Sequence, residues 1–129
     1  MNLRGIRTDL AGACSGREFT PYDVLPASSP ELPAAVVGWP DIIQFNATHA
    51  GGARLTLGIT LYFSRADDEA AQERLDDVLS GGLINDIARR TSPHWVAIDV
   101  PRLQNIETRA AGGAELLTAE LVVELITTP

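Results

Sequence analysis

Lysine is absent from this chain of 129 residues, and all ten basic side chains are arginines. Without a lysine amine there is no Schiff-base chemistry on carbonyl substrates. Cysteine occurs once, as Cys14, so no intrachain disulfide can form, which fits a reducing compartment. Cys14 reads as a small, half-buried hydrophobe, because nothing near it in sequence would lower a thiol pKa. Histidine occurs twice, as His49 and His94. Neither has a second histidine, cysteine or carboxylate at ligand spacing, so no metal site is expected. His94, beside Trp95, reads as a packing residue at a strand edge. No apolar run approaches the ~18 residues of a membrane span, and the first residues lack the apolar stretch of a secretory signal. A cytosolic setting with no membrane partner is expected.

The motifs of common chemistry are missing as well. There is no nucleophile elbow and no glycine-rich phosphate cradle; the Gly-Gly pairs at 51–52, 81–82 and 112–113 each mark a turn. No catalytic residue and no cofactor is expected. The formal net charge is −7, which argues against a groove that grips phosphates, since nucleic-acid affinity rests largely on cationic side chains. Arg89–Arg90 is the one adjacent basic pair and suits a helix C-terminus.

What is present is a strand followed by a helix. Leu55, Leu57, Ile59, Leu61 and Phe63 fall on one face at period two, with Thr56, Gly58, Thr60 and Tyr62 on the other. One face is core and the other is expected to be mixed and wet. A helix over Asp67–Ser80 follows, capped by Ser64 or Asp67. Its acidic run Asp67-Asp68-Glu69 suits the positive end of the helix dipole better than a cation site. Ala71, Leu75, Val78 and Leu79 make one apolar stripe on it, and Gly81–Gly82 stops it.

Around this unit the chain reads as follows. Residues 1–13 form a short amphipathic helix through Leu3, Ile6, Leu10 and Ala13, weakened by Gly5 and Gly12. Five of the eight prolines fall in 15–40 and exclude helix from most of it; a Pro-rich loop spans about 20–33, and Arg17–Thr20 suits a brief strand. Ala34–Trp39 is a strand that Pro40 ends. Ile42–Asn46 is a second extended piece forming a hairpin with Arg54–Phe63. Arg17–Leu32 and the tip Ala47–Ala53 are expected to be mobile in a free subunit. Leu83, Ile84, Ile87 and Ala88 suggest a second short helix. Trp95–Val100 is a strand that Pro101 pushes to an edge or bulges, and Gln104–Ala110 continues it. Glu115–Thr127 is the last strand, with Leu117, Ala119, Leu121, Val123 and Leu125 on one face and Thr118, Glu120, Val122 and Glu124 on the other. The expected fold is therefore α+β: a single domain, 1–129, with a mostly antiparallel sheet and one main helix packed on it plus short helices. The candidate core is Leu55, Leu57, Ile59, Leu61, Phe63, Leu75, Val78, Leu79, Leu121 and Val123.

Three stretches resemble one known family. They are Tyr22-Asp23 with Pro26 and then Pro33-Ala34-Ala35-Val36-Val37-Gly38-Trp39-Pro40; Leu55–Arg65 with the corner Ser64-Arg65-Ala66-Asp67-Asp68 and the helix Ala71-Gln72-Glu73-Arg74-Leu75-Asp76; and the closing Gly-Gly turn with its long strand. Together they resemble the tail terminator (tail completion) proteins of long-tailed phages of actinobacteria, over roughly 20–127. The run 97–111 departs from the family pattern at Pro101 and Arg102–Glu107.

The resemblance implies a structural role. Such proteins form a ring, usually a hexamer, that caps the head-proximal end of the tail tube, ends tube growth and meets the head-completion or connector proteins. Genomic DNA crosses the lumen. The expected location is the virion neck, and the host cytoplasm during assembly. The alternative is another neck component, such as a head–tail connector, or a minor tail protein; a small enzyme or ligand-binding module is a third class. On the ring reading, the mixed face of the two long strands is the candidate lumen: Thr56, Thr60, Tyr62, Thr118, Glu120 and Glu124. An acidic, small-polar wall would repel the duplex and let it slide.

Overall fold

The computed structural model describes residues 1–22, 31–45, 51–111 and 113–129, without the side chain of Ala111. Among the described residues, three helices lie on one face of a six-stranded mixed sheet. The expectation of an α+β fold with a mostly antiparallel sheet holds. The first strand, β1 (Thr20–Tyr22), runs parallel to β2 (Ala34–Gln44), and every other pairing is antiparallel.

The centre is β3 (Arg54–Arg65) against β6 (Ala114–Thr127). Leu55, Leu57, Ile59, Leu61 and Phe63 are all buried, and Ala119, Leu121, Val123 and Leu125 lie beside them. The period-two reading of both strands is thus correct, and so is the reading of the last segment as a strand. On the outer edge of β6, β4 (Trp95–Ile98) and β5 (Arg102–Ala111) follow one another, β4 against 125–127 and β5 against 114–122. Pro101 sits in the break between them, buried, because an edge strand tolerates a residue with no N–H.

Pro40 behaves differently from expectation. It does not end its strand: β2 passes through it with register shifts on both sides, Val37/Pro40 and Pro40/Ile42. The two expected strands are one bulged strand, and its far half makes the anticipated hairpin, with Ile42 opposite Thr56 and Ile43 opposite Leu55. A bulge absorbs the missing donor without breaking the ladder.

The helical layer also needs correcting. The main helix, α2 (Glu69–Leu79), is capped by Asp68, whose carboxylate accepts from the Ala70 N–H at 3.1 Å, and not by Ser64 or Asp67. It buries Ala71 and Val78; Leu75 is partly buried, and Leu79 is 54% exposed. At 100° per residue, Leu79 lies about 80° round the helix from Ala71, and Val78 only about 20° from it. Leu79 has rolled out of the contact and is not core.

The opening helix, α1 (Leu3–Ser15), carries more of the layer than expected, burying Ile6, Leu10, Ala13 and Cys14. The third, α3 (Gly82–Arg89), adds Leu83 and Ile87. The two glycines that weaken α1 are contact points. A Cβ on Gly5 would strike the His94 ring, and one on Gly12 the Arg90 guanidinium. His94 and Arg90 thus pack α1 onto its neighbours.

The Pro-rich loop is shorter than expected. Thr20–Tyr22 is a strand, Arg17 is paired with Asp86, and the Glu31 N–H donates to the Tyr22 hydroxyl at 2.9 Å. At the other expected mobile tip, Ala53 is buried and bonded to Thr127 through both backbone groups. The rest of both segments, 23–30 and 46–50, and with it His49, lies outside the described residues.

These differences give a paired test. Leu61→Ala, in the fully buried centre of β3, should destabilise the protein by about 2–5 kcal/mol. Leu79→Ala should change stability by no more than about 0.5 kcal/mol. Urea denaturation of the two variants beside the parent checks both.

Candidate functional site

The face of the sheet away from the helices is the candidate site. On the β3–β6 ladder, Tyr62 stands opposite Thr118, Thr60 opposite Glu120, Gly58 opposite Val122, and Thr56 opposite Glu124. The six residues chosen from the sequence therefore come together as three cross-strand pairs on one face, because the strands pair in the register that puts both apolar sets under the helices.

Two of the six do not reach solvent. Thr118 is 1% exposed and Tyr62 9%. Tyr62 packs in a second apolar cluster with Ala34 and Leu116, flanked by Tyr22, Leu32, Val36 and Ala114. Thr118 donates its hydroxyl to the Glu107 carbonyl at 3.1 Å. The lumen assignment is corrected accordingly: Tyr62 and Thr118 are structural, and the accessible rows are Thr60–Glu120 and Thr56–Glu124, all four partly buried.

The carboxylates here are partnered. The β5 ladder is irregular between Gln104 and Glu107, and Asn105 there has φ 52°, a left-handed conformation that asparagine tolerates. The irregularity aims Asn105 so that its side-chain amide donates to Glu120 at 3.1 Å. Glu120 itself lies over Gly58, where a Cβ would come within 2.8 Å of its Oε1; glycine is what lets the carboxylate lie flat across the strand. Arg102 is 3.6 Å from Glu124, and Arg109 donates to Glu107 at 2.8 Å. The bond to Glu107 holds the Arg109 guanidinium above its ordinary pKa, with Tyr62 contributing. Exposed pairs of this kind contribute at most about 1 kcal/mol each. Their effect on the surface is larger: the face is not the bare acidic wall that composition suggested, because carboxylates and guanidinium groups compensate one another.

Further polar features lie among the helices. A groove between the α1 exit and α2–α3, lined by Arg17, Phe19, Arg74, Asp77 and Leu83 among others, has its two arginines held in the solvent-exposed pairs Arg17–Asp86 and Arg74–Glu18. The Arg17 guanidinium holds Asp86 below the usual carboxylate range. Among the described residues no group of three or more His, Cys, Asp or Glu could hold a metal ion, and no helix is long and apolar enough to cross a membrane. No family model matches the chain, and no curated protein matches it.

Sequence reasoning missed Arg7. It is buried on α1 and donates to the Val37 carbonyl from Nε at 3.2 Å and Nη2 at 2.7 Å, with its guanidinium 4.2 Å from the Trp39 ring centre. The one signal available was its place on the apolar side of α1, one residue after Ile6.

Cys14 is fully buried, not half-buried, and burial pushes its thiol up to about 12. A group raised on folding supports the native state fully below its unfolded value, near 8.5, and loses that support as pH rises toward the folded value. Stability should therefore fall between about pH 8.5 and 12, and Cys14→Ala should flatten that fall. Urea midpoints of both proteins at pH 7.5 and 10.5 check this.

Proposed function

We propose that the chain is a ring-forming tail terminator of a long-tailed phage, capping the tail tube at its head-proximal end and meeting the head-completion protein, in the virion neck and, during assembly, in the host cytoplasm. The observation that carries this reading is the one-sided sheet. Its helices cover one face, and its other face presents Thr56, Thr60, Glu120 and Glu124 in aligned rows, with one open cavity at the Glu124 end between Asp99, Val100, Arg102 and Val122. Such a surface suits a wall past which something slides. Resemblance in the 33–40, 55–76 and C-terminal stretches supports the same assignment.

Charge compensation suits the passage of DNA. Each guanidinium free to meet a phosphate strengthens binding and steepens its salt dependence. Here Arg102 and Arg109 are turned toward Glu124 and Glu107, which lowers their availability to a duplex. The net charge of −7 adds a weak general repulsion, strongest at low salt.

Two measurements test this. Added to polymerising tail tube protein, the purified chain should shorten the tubes and appear as a ring at one end in electron micrographs; unchanged tube lengths with no end density would refute the role. In virions, Glu124→Lys replaces a half-exposed carboxylate and releases Arg102, so DNA ejection should slow, most at low ionic strength. Wild-type ejection rates at low salt would remove the lumen assignment.

A further inference from the structure

Among the described residues, the two edges of the sheet carry exposed apolar side chains. At one edge, the far half of β2 presents Trp39, Ile42 and Ile43, with Phe45 just past its end, all 39–69% exposed. Ile42 stands opposite Thr56 and Ile43 opposite Leu55, so this ribbon is apolar on both faces. At the other edge, β4, β5 and the break between them present Val96, Val100 and Ile106, 49–64% exposed. We propose that these two edges are the two halves of one interface: the β2 ribbon of each subunit packs on the β4–β5 edge of the next copy, head to tail.

Area supports a second copy as the occupant. A large aromatic side chain presents roughly 150–250 Å², so the β2 ribbon exposes on the order of 400 Å² of apolar surface, the size of the largest and often functional patch on a monomer. The opposite edge adds on the order of 250 Å² by the same measure. Together they match the apolar share of an interface of about 1,200 Å², the lower bound for stable association. Placement supports it too. The order β1-β2-β3-β6, with β4 and β5 beyond β6, puts the patches on opposite sides of the same sheet. A rotation that brings one onto the other repeats round a ring and leaves neither exposed, whereas a two-fold dimer would use one patch and leave the other in water.

The contact is made by side chains and not by sheet extension. Past β1, the Val37 carbonyl is already taken by Arg7, Pro40 has no N–H, and the register shifts on both sides of it. Such features blunt a strand edge against a further strand. The guanidinium of Arg7 also lies over Trp39, holding the indole at the root of the ribbon.

This inference rests on the ring reading, and the test separates the two. Ile42→Cys and Ile106→Cys are made singly and together, with buried Cys14 left in place, and treated with a short bis-maleimide; native mass spectrometry reports assembly of the parent. The double variant should give a ladder of covalent multimers ending at the ring size, and neither single variant should give a covalent dimer. Rings in the mass spectrum without a ladder would overturn the interface and leave the ring. Dimers from Ile42→Cys alone would show the ribbon pairing with itself and overturn the head-to-tail arrangement. A parent that stays monomeric at tens of micromolar, with no ladder, would overturn both. Phe45→Ser supplies an independent measure: as an exposed position it should leave the melting curve of the subunit unchanged while reducing the assembled fraction at least tenfold.

Discussion

Nine consecutive residue pairs, from Arg54–Ile126 to Tyr62–Thr118, join β3 to β6, and the rest of the molecule is arranged around that ladder. Its register is fixed by burial. A slip of β3 by one residue would carry Leu55, Leu57, Ile59 and Leu61 out of the helical layer and put Thr56 and Thr60 into it, and unpaired polar groups there would each cost several kcal/mol. Because one face is so strongly specified, the other is specified by default. The rows Thr60–Glu120 and Thr56–Glu124 stand where they do because their neighbours in sequence cannot stand anywhere else.

That coupling explains which parts of the fold could be read in the sequence. Alternation over Leu55–Phe63 and Leu117–Leu125 determined strand type and face, since one physical cause, burial of every second residue, produces both; that the two strands pair with each other is shown only by the fold. The stripe on α2 was legible at Ala71 and Val78 but not at Leu79, where a small angular drift decides between core and water. Tyr62 and Thr118 were misjudged for a different reason. Their cover comes from Tyr22, Leu32, Val36 and Leu116 and from the Glu107 carbonyl, and no local pattern shows that segments so distant in sequence return to the same end of the sheet.

The site shows the same division. Composition identified Glu120 and Glu124 but could not show that Asn105 and Arg102 reach them, because that depends on an irregularity in β5. Arg7 was hidden because a cation in an apolar stripe looks like an interruption; its stabilisation comes from a carbonyl and an indole on β2 that only the fold brings within reach. Glycine was misread in part: Gly5 and Gly12 do lower helix propensity, yet they also admit His94 and Arg90, and packing outweighs the ~1 kcal/mol lost per residue.

The separation of β3 and β6 along the chain has a kinetic consequence. Forty-eight residues, 66 to 113, lie between them. At a synthesis rate of about 5–20 residues per second, β3 leaves the ribosome several seconds before its central partner does. Until then Leu55–Phe63 can pair with β2 alone, an arrangement too small to stand by itself. The nascent chain therefore passes through a period in which its most apolar strand is half covered, and the loop closure that ends it is of the slow, non-local kind. A chain lacking β6 would have no stable sheet at all.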